Sequence, residues 1–297
     1  MKIGSEGISV DLNISKSGTS AMYIETFVFF DIETTGLPHH ERNQTKITEL
    51  SLVAVSRRDM EVTPLGRLPC VNKISLLFNP QRIIQAEVVK ITGLSNSSLQ
   101  NQQIFKRRIQ SINSFLDNLP KPVCLVAHNG NIFDYKILRA EYIDADETLP
   151  PNIYCVDSLV GLRKILKETN ISYKTLHFKD NIEEYLTDDE DEWPELNTSI
   201  EEWLEIDELV CKMSNVSQSD SPNKQNIKTD NATREKVCYT LAALYKRLLN
   251  KDAVEAHRAE VDCIMLLECV LAVKSYFLEW ADSNCKLIDQ IKPLIRK

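Results

Sequence analysis

The chain has 297 residues, 43% of them hydrophobic, and a formal net charge of −8. A chain of this size and composition can bury its own core, and no apolar run reaches the roughly 18 residues that a membrane-spanning helix needs. The eight cysteines occur singly, without a Cys-x-x-Cys pair, which is typical of reduced thiols rather than of a disulfide framework. We therefore expect a soluble intracellular protein, nuclear or cytoplasmic.

The acidic residues are concentrated in one segment. Fourteen Asp and Glu residues, and no Lys or Arg, lie between Asp180 and Glu208. Removing these fourteen charges from the net charge of −8 leaves +6 for the rest of the chain, so the remaining body is basic enough to bind phosphates. We predict an acidic insertion at about residues 176–236, a disordered tail over residues 1–22, and one domain over residues 23–297.

The hydrophobic pattern predicts an α/β fold. Three strand-length runs come first, at residues 26–32, 47–55 and 72–80. Two helical segments, at residues 86–94 and 101–119, precede an alternation of strand 122–129, helix 133–143, strand 152–158 and helix 158–168. Helical periodicity returns at 237–249 and at 261–280, where we expect one long helix. This order predicts a mixed five-stranded sheet flanked by helices.

The strongest chemical signal is Asp31-Ile-Glu33-Thr34-Thr35-Gly36, at the end of the first strand. Carboxylates two residues apart on a strand point to the same face. Their mutual repulsion calls for a counter-charge, which a divalent cation supplies. The alternative is an acidic strand end that leads into a glycine turn.

A second signal lies where the fourth strand meets the following helix. Here Ala127-His128-Asn129-Gly130 is followed by Phe133 and Asp134, and Asp134 falls in the first helical turn. Loops above a sheet commonly carry functional groups. An acid at a helix N-terminus is also favoured by the helix dipole alone, so this segment has a purely structural interpretation as well.

The third signal is His257-Arg258-Ala259-Glu260-Val261-Asp262. Five residues of helix rotate by about 140°, so His257 and Asp262 cannot share a helical face. We expect His257 on a loop, able to reach a water molecule, and Asp262 in the first turn of the last helix, able to bind a metal. The alternatives are an exposed loop histidine and an acid that matches the helix dipole.

Together the three segments resemble the Exo I, Exo II and Exo III motifs of the DnaQ-like exonuclease superfamily, in the branch that ends in His-x4-Asp. The other branch has tyrosine four residues before the last aspartate, where this chain has Arg258. The segments FFDIETTGLP, ITELSLVAV, ITGLS, LVAHNG, CVDS and TLAALYKRL are similar to the three-prime repair exonuclease (TREX) family. The resemblance covers about residues 26–168 and 237–275, without the acidic insertion.

This resemblance implies a ribonuclease H-like fold and a 3′→5′ exonuclease that releases nucleoside 5′-monophosphates from DNA 3′ ends. It implies two Mg²⁺ ions per active site, replaceable by Mn²⁺, with Asp31, Glu33, Asp134 and Asp262 as ligands. Asp31 would bridge the two ions. His257 would be the general base.

The resemblance also implies substrate contacts. It places the backbone of Glu33 and Thr34 at the 3′-hydroxyl, Leu37 and Ile91 against the terminal base, and His128 and Phe133 beside the substrate. Phe133 stands where the family commonly has tyrosine, so a hydroxyl is lost. Leu37 and Ile91 are equally compatible with ordinary core or turn positions.

The implied partners are single-stranded DNA or frayed duplex 3′ ends, no membrane, and a second copy of the chain paired through the edge strand at residues 72–79. Two other hypotheses stay open at this point. The carboxylate motifs do not determine whether the sugar of the substrate is deoxyribose or ribose, so the substrate can be RNA. A non-catalytic nucleic-acid-binding module could also retain the fold. The acidic insertion is either a solvated loop or a docking or self-masking segment.

Overall fold

The computed structural model describes residues 22–177, 238–253 and 257–296. The predicted N-terminal tail, up to residue 21, and nearly all of the predicted acidic insertion lie outside these ranges. The sheet and the helices around it are therefore described from the remaining chain.

The sheet has six strands in the described part of the chain, in the order β3-β2-β1-β4-β5-β6. Their bounds are β1 (Thr26–Thr34), β2 (Ile47–Ser56), β3 (Asn72–Leu77), β4 (Val123–Ala127), β5 (Ile153–Asp157) and β6 (Lys286–Leu287). β1 pairs antiparallel with β2 and parallel with β4. The predicted mixed sheet is confirmed, but the predicted number of five strands is one too few. The two residues of β6, antiparallel to β5, are too few to produce a hydrophobic pattern.

Helices flank both faces of the sheet. Their bounds are α1 (Arg57–Val62), α2 (Ala86–Thr92), α3 (Asn96–Leu99), α4 (Phe105–Asp117), α5 (Asp134–Asp144), α6 (Ser158–Thr169), α7 (Tyr173–His177), α8 (Leu241–Leu249), α9 (Ala259–Ala272) and α10 (Lys274–Asn284). The predicted single helix over residues 261–280 is wrong, because α9 and α10 are separated at Val273, which has φ −123° and ψ 23°. The Lys274 ammonium donates to the carbonyls of Met60, Glu61 and Thr63, and this contact directs α10 towards the end of α1.

The alternation of side chains along β1 divides the core into two layers. Phe27 and Phe29 pack with α6, α8, α9 and α10 on one face, whereas Val28, Phe30 and Ile32 pack with α4 and α5 on the other. Asp31 and Glu33 continue the first series. Their side chains therefore point to the face that α9 covers.

β1 extends beyond its parallel neighbour. Its described pairing with β4 ends at Phe29 and Val126, while its antiparallel pairing with β2 continues to Thr34. Beyond Phe29 the β4 side of the strand is open for the segment that follows β4. Every helix in the described ranges is too short or too polar to cross a lipid bilayer.

Candidate active site

Three of the predicted ligands meet in space. Oxygen atoms of Asp31, Glu33 and Asp262 all lie within 4.8 Å of one another. The first two come from the end of β1, and Asp262 comes from the first turn of α9, as predicted. A carboxylate trio at this spacing matches the oxygen ligands that hard divalent cations prefer.

Asp134 lies next to this trio. It is the first residue of α5 and is only 4% exposed. Among the charged groups around Asp31, Asp134 is the one that most strongly disfavours its ionisation, followed by Asp262 and Glu33. Asp31 therefore interacts electrostatically with all three of the other acids.

The surroundings of the four acids disfavour their ionised forms. Burial, followed by repulsion from the neighbouring carboxylates, raises the pKa of Asp31 and of Glu33 well above their ordinary values. Burial likewise raises the pKa of Asp134 to about 8 and that of Asp262 to about 7. Near neutral pH such a cluster binds either protons or cations. The residues present thus fit a divalent metal centre.

His257 occupies the predicted loop position, two residues before the start of α9, with an exposed side chain. The protein around it still removes part of the water from the imidazole and lowers the pKa of His257 below its ordinary value of 6.5. The neutral ring, which can accept a proton, is therefore favoured.

Glu49 and Arg258 were not predicted as site residues. Glu49 lies opposite Glu33 in the β1–β2 register and is 3% exposed. Its carboxylate accepts from Arg258 Nε at 2.9 Å, from Arg258 Nη2 at 2.6 Å and from the Ala259 backbone N–H at 3.1 Å. This ion pair fixes the residue next to His257 and the first turn that carries Asp262. The sequence feature that could have identified Glu49 is its charge inside the otherwise apolar run ITELSLVAV.

Asp157 is a second positioning residue that sequence reasoning missed. Its buried carboxylate accepts from the backbone N–H groups of Asn129, Asn131 and Leu159, each at 3.0 Å. Two of these bonds shape the loop that leads to Asp134. The signal was the segment CVDS, whose aspartate ends β5 beside that loop.

His128 is bound to the protein through both ring nitrogens. Nδ1 lies 3.1 Å from Ser158 Oγ, and Nε2 lies 3.0 Å from the Tyr239 carbonyl oxygen. Burial lowers the pKa of His128 to about 4. The ring therefore links β4, α6 and the segment before α8, and its predicted substrate contact stays a prediction.

The other predicted substrate residues surround the end of β1. Thr34 is buried, with its hydroxyl donating to the Gly36 carbonyl at 3.0 Å, and Leu37 follows in the same loop. Ile91, on α2, is 49% exposed. Phe133 precedes Asp134 and is partly buried against the α4–α5 layer. Their substrate contacts also stay predictions.

The comparisons with known proteins agree with this geometry. A family model described as Exonuclease matches residues 28–191, more than half of the chain. The chain belongs to this exonuclease family. The match ends at residue 191, so it does not include His257 and Asp262, which are predicted from the third sequence segment.

Individual relatives give the same result. The chain is 26% identical to human three-prime repair exonuclease 1 over 284 residues, covering 91% of this chain and 71% of that protein. It is 28% identical to mouse three prime repair exonuclease 2 over 279 residues, covering 91% and 92%. The predicted three-prime repair exonuclease family and the predicted 3′→5′ exonuclease class are confirmed.

Solved structures show the same fold. Exonuclease I superposes with a TM-score of 0.53 at 14% identity, covering 86% of this chain and 43% of that chain. Cell-death related nuclease 4 superposes with a TM-score of 0.51 at 10% identity, covering 86% and 65%. The predicted exonuclease fold is confirmed.

The raised pKa values predict a pH-dependent effect of metal on stability. The pKa of Asp134 rises from 3.8 to about 8 on folding, so between these values the folded chain binds more protons than the unfolded chain. The contribution of Asp134 to the stability of the metal-free protein should be fully present below about pH 4 and be lost as pH rises through about 8. We expect melting temperatures in EDTA to fall by several degrees between about pH 5.5 and about pH 8.

A divalent cation should raise the melting temperature more at the higher pH, where the carboxylates are ready to ionise. Asp31→Asn is the matched control, because it removes one repelling charge and should reduce both effects. An equal increase with metal at both pH values, by differential scanning fluorimetry, would contradict this account of the cluster.

The Glu49–Arg258 pair generates a second prediction. Arg258→Gln leaves a buried carboxylate unpaired among other acids, and we expect a loss of about 1–3 kcal/mol in the free energy of unfolding. This is less than the roughly 3–5 kcal/mol typical of a fully buried pair, because solvent screens the Arg258 side chain, which is 40% exposed.

Urea unfolding measures this loss, and the double variant Glu49→Gln/Arg258→Gln should recover part of it. Lys73→Gln is the control, since it breaks the exposed pair with Glu260 and should cost less than about 1 kcal/mol. If Arg258→Gln lowers the free energy of unfolding as little as Lys73→Gln does, the Glu49–Arg258 ion pair is not needed for stability.

Proposed function

We propose that the protein is a metal-dependent 3′→5′ exodeoxyribonuclease that releases nucleoside 5′-monophosphates from the 3′ ends of DNA. The observation that carries this proposal is the trio Asp31, Glu33 and Asp262 within 4.8 Å, in a chain of the exonuclease family. The names of the relatives support action at 3′ ends. One structural neighbour is an Escherichia coli exonuclease I complex with single-stranded DNA, which supports single strands or frayed duplex ends as the substrate.

The proposed cofactor is a pair of Mg²⁺ ions. Asp31 interacts with the three other acids, and together with Glu33, Asp134 and Asp262 it would hold the two ions, as the resemblance to the family implies. When bound, two such ions activate water and stabilise the charge on the leaving 3′-oxygen. Mn²⁺ should replace Mg²⁺, because carboxylate sites also suit Mn²⁺.

His257 is the proposed general base. The lowered pKa keeps its imidazole neutral, so it can take a proton from the attacking water. Its exposed position lets it release that proton to solvent. The Glu49–Arg258 pair, immediately beyond it, limits the motion of the loop.

The substrate residues are proposed from their positions. The Gln85 backbone N–H donates to the Thr35 carbonyl at 3.3 Å, which ties α2, and with it Ile91, to the end of β1. Leu37 and Ile91 thus provide apolar surface for the terminal base, near the backbone of Glu33 and Thr34. Phe133 and His128 belong to the loop on the other side of Asp134.

Pairing between two copies through β3 is proposed as well. β3 is the terminal strand of the sheet, and such an edge offers hydrogen-bonding groups to another chain. Nuclear or cytoplasmic residence remains a prediction from the cysteine pattern.

The activity is tested with a 5′-labelled single-stranded DNA oligonucleotide in Mg²⁺ or EDTA. We expect progressive shortening from the 3′ end, release of 5′-mononucleotides, and loss of both in EDTA or in Asp31→Ala and Asp262→Ala. Internal fragments, or equal rates in EDTA, would refute the proposal. A matched RNA oligonucleotide degraded faster than DNA would move the assignment to an exoribonuclease.

His257→Ala should lower kcat by about 10²–10⁴, the range for loss of a general base, while the Kd for DNA changes little. The wild-type rate should rise with pH only up to a pKa below 6.5, because the protonated ring cannot accept a proton, and then level off. His177→Ala, which removes an exposed histidine from α7, is the control. A retained rate in His257→Ala, or an unchanged pH profile, would exclude His257 as the base.

A further inference from the structure

The connection between β1 and β2 forms a cavity outside the carboxylate cluster. This open cavity of about 600 Å³ is lined by His39, Arg42, Asn43 and Gln44. We call it the hairpin cavity. None of the three sequence motifs includes these residues.

Arg42 is the exposed cation of the hairpin cavity. In the described part of the chain its guanidinium forms no ion pair or hydrogen bond. Two nearby cations are paired instead: Lys46 contacts Glu141 and Asp144, and Arg82 contacts Glu41. The donors of Arg42 are therefore available to a ligand.

The loop is held in one shape. Arg42 and Asn43 have φ values of 52° and 61°, a left-handed conformation that is uncommon for residues other than glycine. The Asn43 backbone N–H donates to the Pro38 carbonyl at 2.7 Å, and its side chain donates to the Ile295 carbonyl at 3.1 Å. Thr35 Oγ1 donates to the buried Glu41 carboxylate at 2.6 Å. A cavity built in this way is preorganised for binding.

The hairpin cavity follows in sequence the strand that carries Asp31 and Glu33. His39 is five positions after Thr34 at the end of β1, so their Cα atoms are at most about 18 Å apart. The C-terminal segment provides a second link, since Ile295 accepts from Asn43 and its neighbour Leu294 donates to the Lys136 carbonyl at 2.9 Å. Lys136 is two residues from Asp134. A strand bound at the acids can therefore reach the cavity within a few nucleotides.

The charge distribution requires cations away from the acids. The centre holds the carboxylates of Asp31, Glu33, Glu49, Asp134 and Asp262, and the Arg258 guanidinium beside them is already paired with Glu49. Phosphates of a bound strand must therefore be neutralised at the rim. A guanidinium is suited to this because it can donate two parallel hydrogen bonds to one phosphate.

We propose that the hairpin cavity holds a nucleotide of the substrate strand on the 5′ side of the scissile bond. Arg42 binds its phosphate. The His39 ring, whose centroid is 4.0 Å from that of His40, contacts its base, a contact that tolerates any base because each has a π face. This inference rests on the proposed exonuclease function.

The test compares substrates of different length in Arg42→Gln, Arg42→Lys and the control Arg58→Gln. Arg58 is exposed and lies two residues after Ser56, which pairs with Thr26 at the opposite end of β1 from the acids. The short substrate is the p-nitrophenyl ester of thymidine 5′-monophosphate, which has no nucleotide to occupy the cavity. The long substrate is a single-stranded oligonucleotide of about a dozen nucleotides, within the usual site sizes.

Arg42→Gln should lower the ratio of kcat/KM for the oligonucleotide to kcat/KM for the ester about 5- to 10-fold, the size of about 1–1.4 kcal/mol of binding. The salt dependence of oligonucleotide binding, measured by fluorescence anisotropy in the Asp31→Asn background, should lose about 0.7 from its log–log slope, the value of one single-strand phosphate contact. Arg42→Lys should keep most of that slope, and Arg58→Gln should match the parent.

An unchanged ratio together with an unchanged slope in Arg42→Gln would overturn the proposal. The proposed function is judged separately, by whether the wild type hydrolyses the ester and the oligonucleotide at all.

Discussion

Repulsion among buried carboxylates is the constraint on which the rest of this structure depends. Burial is the largest cause that disfavours ionisation of Asp31, Glu33, Asp134 and Asp262, repulsion from neighbouring carboxylates adds to it, and Glu49 contributes at Asp31, Glu33 and Asp262. Such a cluster costs folding free energy unless protons or cations neutralise it. Metal affinity and pH-dependent stability therefore have one origin. Arg258 forms an ion pair with Glu49 and also favours the ionised form of Glu33, but burial and the other acids still raise the pKa of Glu33.

The fold provides partial compensation at the places where the acids lie. Asp134 begins α5 and Asp262 lies in the first turn of α9, where the helix dipole favours negative charge. The extension of β1 beyond β4 leaves room for the loop that delivers Asp134. That loop is shaped by the Asp157 carboxylate, which accepts from two of its backbone N–H groups. The positions of the ligands are thus fixed by backbone geometry, and flexible side chains contribute little to the placement.

Much of the site was predictable because its signals are local. Strand alternation placed Asp31 and Glu33 on one face, and the helical rotation between His257 and Asp262 placed the histidine on a loop. The residues that position them were not predictable in this way. Glu49 and Arg258 are 209 positions apart in the sequence, and the three N–H donors of Asp157 belong to two segments that only the fold brings together. The same holds for the two-residue β6 and for the break at Val273, which leave no periodic pattern.

A nuclease of this type must bind cations at its centre and a polyanion around it. The centre therefore needs uncompensated acids, while the rim needs uncompensated bases, and the two sets must not neutralise each other. Solvent and salt at the surface allow this, because they screen an exposed base at the rim from charges more than about 8 Å away at physiological ionic strength. In the described chain, Lys46 and Arg82 are already paired with acids, whereas the left-handed backbone at Arg42 presents its guanidinium to solvent. A rigid hairpin thus keeps one base apart from the acids and leaves it free for a phosphate.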